Sequence, residues 1–151
     1  MCLIEIRTLI KSDIKTCFDL ARNIDFYQEH LSSSKEKAIA GKISGLIGLG
    51  EWVSWEAEHF GFVQHLTSKI TGFESPNYFV DEMVFGAFKS LRHEHYFQEE
   101  IKGLTVMTDK FYFESHFGLF GKFANWLFLK KYITNLLIKR HSVLKEKAES
   151  L

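Results

Sequence analysis

The hydrophobic period of this chain changes once, and that change limits what it can fold into. From about Gly50 to Glu114 nearly every stretch alternates apolar with polar residues as β-strands do, and from Phe117 onward the spacing becomes that of one long helix. An antiparallel sheet has one face to bury, and a single terminal helix is the other large apolar surface available to cover it. A curved sheet gripping one helix leaves space between them, so the functional question is what fills that space.

Residues 3 to 10 set Ile4, Ile6, Thr8 and Ile10 against Leu3, Glu5, Arg7 and Leu9, a half-buried strand. Ser12 reads as a helix N-cap with Asp13 in the first turn, and Ile14, Cys17, Phe18 and Ala21 follow at helical spacing. A second short helix is expected over about 23 to 31, ending in Ser32-Ser33-Ser34, and then a strand over 37 to 43 and a glycine-spaced connection through Gly45, Gly48 and Gly50. Five further strands are expected at roughly 51–60, 62–72, 77–87, 88–99 and 104–114, punctuated by Gly61, Ser75-Pro76-Asn77, Gly86 and Lys102-Gly103. Along the helix from about 117 to 148, Leu119, Phe123, Trp126, Ile133, Leu137 and Leu144 form a stripe with Lys131, Lys139 and Lys145 off it. The residues from Lys145 onward are expected to be solvated and frayed.

The length of 151 residues fits a single domain spanning 1–151. Nineteen basic residues balance nineteen acidic ones, which leaves no electrostatic footprint for nucleic acid. Two cysteines, Cys2 and Cys17, are too few for a disulfide scaffold and fit a reducing compartment, so a cytoplasmic location is expected. The N-terminal MCLIEIRTLI carries charges within its apolar stretch and does not read as a signal peptide. No run reaches the ~18 apolar residues needed to span a bilayer. Fifteen Phe, three Trp and five Tyr stand against one proline, which suits a dense core or the wall of an apolar pocket.

Strand alternation then assembles a candidate site. His93 and His95 are two apart, with about 6.7 Å between their Cα atoms, so they share a face that Phe97 continues. Phe111 and Phe113 belong inside, and Met107 and Asp109 share their face. Val53, Trp55, Ala57 and His59 form the apolar face of one strand, and Phe79, Asp81, Met83 and Phe85 that of another. The inward faces together make an aromatic wall with a polar inset of His59, Asp81, His93, His95 and Asp109.

An unpaired buried polar group costs roughly 1–3 kcal/mol, so the inset must pair internally, with water or with a guest. Three readings stay open: a satisfied polar patch in a filled interior, a patch that holds the polar end of a bound apolar ligand, or a catalytic or metal-binding cluster. A His-x-His pair with a carboxylate is a possible metal set, and an imidazole beside a buried carboxylate a possible acid–base pair. No cofactor or metal is expected. The glycine run lacks the Lys-Ser/Thr ending of a phosphate loop and leads into a strand. Cys17 reads as an inert core residue, and His30, His65 and His116 as surface or rim residues. Apolar residues from Phe117 to Leu129 surround most of the helix start, which is either enclosed or a greasy mouth able to touch a membrane or protein, with Lys122, Lys130 and Lys131 nearby.

The order of strand, two short helices, six strands and long helix resembles the helix-grip fold of the START-like, or SRPBCC, superfamily. That superfamily includes the birch-pollen allergens, lipid-transfer START domains and bacterial polyketide cyclase/dehydrase-like proteins. The stretches SGLIGLGEWVSWEAEHFG, LTSKITGF, FVDEMVFGAFKSLRHEH, TVMTDKFYFES and LFLKKYITNLL look like a bacterial branch of small stand-alone members, some labelled as cell-division-related. His116 departs from that branch where a proline commonly follows the serine, and His141 where an asparagine is common.

The resemblance implies an α+β helix-grip domain, a seven-stranded curved antiparallel sheet around the C-terminal helix. Its cavity would bind a small hydrophobic or amphipathic molecule, for transport or sensing. The expected lining is Trp55, His59, Asp81, Met83, His93, His95, Phe97, Asp109 and Phe111, with Phe123 and Trp126 on the helix side. The alternatives are a cyclase, dehydratase or hydrolase using His93, His95 and Asp109, or an interaction protein with a filled core.

Overall fold

All seven strands belong to one antiparallel sheet, ordered β1-β7-β6-β5-β4-β3-β2. The computed structural model describes residues 2–30, 35–116 and 122–151, the side chains of 122–126 excepted. The elements are β1 (Cys2–Ile10), α1 (Ile14–Ala21), α2 (Ile24–His30), β2 (Lys37–Gly41), β3 (Trp52–His59), β4 (Phe62–Glu74), β5 (Tyr78–Phe85), β6 (Ser90–Ile101), β7 (Leu104–Glu114) and α3 (Lys122–Ser150). This is the helix-grip architecture. The expected serine loop at 32–34 and the helix start at 117–121 lie outside the described residues.

Local chemistry explains the boundaries. Asp13, rather than Ser12, caps α1, its carboxylate accepting from the Thr16 amide at 3.1 Å and the Thr16 hydroxyl at 2.6 Å. Asn23 Oδ1 accepts from the Phe26 amide at 3.1 Å at the head of α2. The β3–β4 hairpin turns on Phe60 and Gly61, both left-handed at φ 56° and 77°. Glycine adopts that conformation freely, whereas for phenylalanine it costs about 1–2 kcal/mol.

β5 departs from the simple alternation. At Thr67–Ser68 of β4 the pairing shifts, so that Ser68 faces Met83 and Thr67 faces Phe85, with Val84 as the extra residue of a bulge. Phe85, expected inside, is 66 % exposed. The register beyond a bulge can turn a side chain to the other face.

The core divides around the concave face. Phe18 of α1 meets Phe73, Phe79 and Phe97 edge-on at 5.4–5.5 Å, closing one end of the sheet. Ile4, Leu91, Phe111 and Phe113 meet Ile133 and Leu137 of α3 in a second cluster. The end of α3, expected to fray, is packed instead: Leu144 and Ala148 are buried, and Lys145 Nζ donates to the Leu9 carbonyl at 2.8 Å. Because α3 packs along β1 and α1, the inner surfaces of β3, β4 and β5 are left to face open space. Among the described residues no helix is long and apolar enough to cross a membrane.

Candidate functional site

That open space is a cavity of about 470 Å³ between the sheet and α3, inside the range of roughly 300–1,000 Å³ common for ligand pockets. Val53, Trp55, Ala57 and Ile70 form the wall on β3 and β4, and Leu129, Ile133 and Leu137 form it on α3. These positions follow from strand alternation and helical spacing, which place small and large apolar side chains on facing surfaces.

The floor is polar, and its geometry is closed by charge-assisted bonds. His93 Nε2 lies 2.7 Å from Asp109 Oδ2, and His95 Nε2 lies 2.8 Å from Asp81 Oδ2. His95 Nδ1 stands 3.5 Å from Asp109 Oδ2, so both nitrogens of that ring look at carboxylates. Ser68 Oγ donates to Asp81 Oδ1 at 3.3 Å. The rings of Phe79, His95 and His93 form one stack, with centroids 4.1 and 3.8 Å apart, and Phe111 meets His93 edge-on at 5.1 Å.

Behind the floor, His141 Nε2 of α3 comes within 3.1 Å of Asp109 Oδ1. Neither atom has a hydrogen-bond partner, so the contact is a close approach rather than a bond. On its other side Nδ1 of His141 is 2.6 Å from Thr8 Oγ1.

Burial alone would raise the pKa of both aspartates. For Asp109, the surrounding His95 and His93, together with His141, outweigh burial and hold the carboxyl well below the usual carboxylate range. For Asp81, the hydrogen bond from His95, the His93 ring and the Ser68 hydroxyl do the same to a smaller degree. Both side chains are therefore carboxylates at neutral pH.

The expected lining divides in the structure. Trp55, His59, Asp81, His93, His95 and Phe111 border the cavity. Met83, Phe97 and Asp109 do not. Met83, paired with Ser68 ahead of the bulge, packs against the Leu91 cluster, Phe97 is sealed into the Phe18 core, and Asp109 is covered by the imidazoles beside it. The side chains of Phe123 and Trp126 lie outside the described residues. His30 is exposed and bonds the Phe26 carbonyl, whereas exposed His65 and His116 border the cavity at its rim.

Three contacts bridge the gap between α3 and the β2–β3 side. Arg140 pairs with Glu36, His59 Nδ1 is 2.7 Å from the Tyr132 hydroxyl, and the Phe60 ring lies tilted against Tyr132 at 4.4 Å and Phe128 at 5.5 Å. Burial pushes the His59 pKa down and that of the Tyr27 hydroxyl, which donates to the Ala21 carbonyl at 2.5 Å, up. Phe62, Val63, Val84, Phe85, Leu127 and Phe128 are exposed at the end where the β3–β4 and β5–β6 turns meet the first described part of α3.

Sequence reasoning missed His141, Tyr132 and the Arg140–Glu36 pair. A signal existed for His141, which lies four residues after Leu137 and three before Leu144 on the buried stripe. Nothing in the spacing marked the other three, because their partners are set by how the hairpin and β2 approach α3. The ligating atoms of Asp81, His93 and His95 lie within 4.8 Å of one another and are the described residues best placed to hold a metal ion. Each of those imidazoles already has a carboxylate partner.

No protein-family model and no curated protein matches the sequence. Solved structures match its fold over nearly the whole chain. A protein of Thermus thermophilus superposes with a TM-score of 0.80 at 14% identity, covering 99% of this chain and 98% of that one. A START superfamily protein from Mycobacterium smegmatis gives 0.75 at 10% identity, covering 98% and 97%. The Zhui aromatase/cyclase from Streptomyces sp. R1128 gives 0.75 at 12% identity, covering 98% and 93%. At such identities the likeness is one of fold.

Proposed function

We propose that this single-domain chain binds a small hydrophobic or amphipathic molecule, lipid-like or polyketide-like, in the cavity between the sheet and α3. The observation that carries the reading is an apolar hollow whose floor holds fixed polar groups. Burying the guest's apolar surface, at about 25 cal/mol per Å², supplies affinity, and the His/Asp floor orients it. The likeness in fold to a START superfamily protein and to an aromatase/cyclase supports the same class of guest. Transport or sensing in the cytoplasm fits such a role.

Native mass spectrometry of the protein as purified, with organic extraction, tests it. A co-purifying organic adduct is expected. A clean unliganded mass, together with no uptake of a fluorescent apolar probe, would overturn it.

The His93–Asp109 pair favours a second reading, a cyclase, dehydratase or hydrolase in which His93 moves a proton while Asp109 holds its ring. On that reading His93→Ala abolishes turnover while an apolar probe still binds. On the binding reading the same change retunes uptake.

A further inference from the structure

The pairing of β5 with β6 gathers three metal-ligating side chains at one place on the cavity floor. Asp81 of β5 stands directly across from His93 of β6, and His95 follows two residues on along the same face. One ligating atom from each lies within 4.8 Å of those of the other two. All three residues border the cavity, the imidazoles buried and Asp81 half-buried. Two imidazoles and a carboxylate are a donor set that first-row divalent ions take, with further positions left for water or a bound molecule.

The surroundings of these side chains are those such a centre requires. Asp109 Oδ2 lies against one nitrogen of each ring, 2.7 Å from His93 Nε2 and 3.5 Å from His95 Nδ1, so a single carboxylate positions both imidazoles. A ligating histidine is oriented in this way by an outer carboxylate on one nitrogen, which leaves its other nitrogen for the ion. For His95 that other nitrogen, Nε2, is 2.8 Å from Asp81 Oδ2. Two ligands with bonds of about 2.0–2.2 Å to one ion stand roughly 3 Å apart, so this pair needs little movement to share one. The ion takes the place of the proton between them, which passes to solvent. Closing the remaining separations, none above 4.8 Å, takes shifts of about 1 Å, within reach of side-chain torsions.

The neighbours restrain the same groups. Ser68 Oγ holds the second oxygen of Asp81 at 3.3 Å, and the stack of Phe79, His95 and His93 fixes the ring planes. Asp109 Oδ1 and His141 Nε2 are buried without a hydrogen-bond partner, two of the three such side-chain atoms among the described residues. The polarity gathered here exceeds what its own hydrogen bonds consume. A cation beside two carboxylates offsets the cost of burying them.

We infer that Asp81, His93 and His95 bind one divalent first-row transition-metal ion, zinc being the reference case, with Asp109 as the outer carboxylate that positions both imidazoles. This departs from the expectation, drawn from spacing alone, of a site without metal. It goes beyond the uptake of an apolar guest and does not depend on it. The open coordination positions lie toward the cavity that all three ligands border, where the ion would act as a Lewis acid on an oxygen atom of whatever enters.

The test uses the whole chain, stripped with EDTA, dialysed and titrated with zinc chloride by isothermal titration calorimetry at neutral pH. One ion per chain is expected, with a dissociation constant of about 1 μM or below. Millimolar magnesium should not compete, because it prefers a shell of six oxygens. Asp81→Asn and His95→Gln should each weaken zinc at least about tenfold, and Asp109→Asn by about tenfold through the outer shell. Paramagnetic cobalt(II) locates the site in the unaltered protein, so the test does not hang on any variant folding: the amide resonances of Asp81, His93 and His95 should broaden most. No zinc uptake, displacement of zinc by magnesium, undiminished affinity in folded D81N and H95Q, or broadening centred on the exposed His65–Glu56 pair would each overturn the inference. Uptake of a fluorescent apolar probe by the same stripped protein keeps the two readings apart. Probe uptake without zinc binding overturns the ion alone, and zinc binding without probe uptake upholds the ion and counts against the guest.

Discussion

Asp109 is the point on which the imidazoles of β6 and α3 converge, and His93, His95 and His141 all approach its two oxygens. Asp109→Asn removes that buried anion and leaves its donors poorly matched, which should cost roughly 3 kcal/mol at neutral pH. The pH dependence has a definite sign. The folded protein holds Asp109 and Asp81 below their ordinary values, so the unfolded chain takes up their protons first as the pH falls. Their stabilisation is complete above about pH 4 and is lost as the pH drops through the folded values. Urea unfolding of D109N should accordingly show a deficit that is largest near neutrality and shrinks below about pH 4. A deficit constant with pH would contradict the geometry. A second residue behaves oppositely to a reactive site: burial pushes the Cys17 thiol up to about 11, so it should resist a disulfide reagent until the protein unfolds.

Among the elements, the β2–β3 edge and the β3–β4 hairpin set the shape of the opening. Gly41 has φ +76°, and a Cβ there would lie 2.4 Å from the Trp52 carbonyl oxygen and 2.6 Å from its ring. Gly41→Ala should destabilise the protein by at least about 2 kcal/mol in thermal or urea melts, because neither the backbone nor the ring it meets can withdraw cheaply. Phe60 holds an unfavourable backbone conformation while its ring meets Tyr132 and Phe128 across the gap to α3. With the His59–Tyr132 bond it forms a seam on the cavity. Tyr132→Phe removes that bond alone, at a cost of about 1 kcal/mol, and stopped-flow dilution should show a bound apolar probe leaving faster than from the unaltered protein. An unchanged release rate would mean the guest exits elsewhere.

For the whole molecule the decisive property is unfilled volume. Ala57 is buried and borders the cavity, so Ala57→Phe places a ring in the hollow. Filling a true void costs no displaced packing, so the melting temperature should hold or rise while probe affinity drops at least about tenfold. Retained affinity would place the guest outside this cavity. The same end of the molecule exposes Phe62 (71 %) and Phe85 (66 %) on neighbouring turns. If a guest enters from a membrane there, F62D/F85D should lose flotation with anionic vesicles while keeping its melting temperature.

How much of this was legible before the tertiary structure follows from the range of each interaction. Seven strands and a terminal helix could be read from local periodicity, because alternation and helical spacing are properties of neighbours along the chain. The pairing of His93 with His95 on one face, and the inward direction of Asp81 and Asp109, were likewise local. The bulge at Val84 was not: it depends on register against β4, and it put Phe85 in solvent. Nor was the split between Asp109 behind the floor and Asp81 upon it, or the arrival of His141 from more than thirty residues farther along. The chain by itself determined which side chains could face inward. Only folding decided which of them border empty space, because the hollow is set by where α3 comes to rest on β1 and α1, a long-range packing that no local pattern encodes.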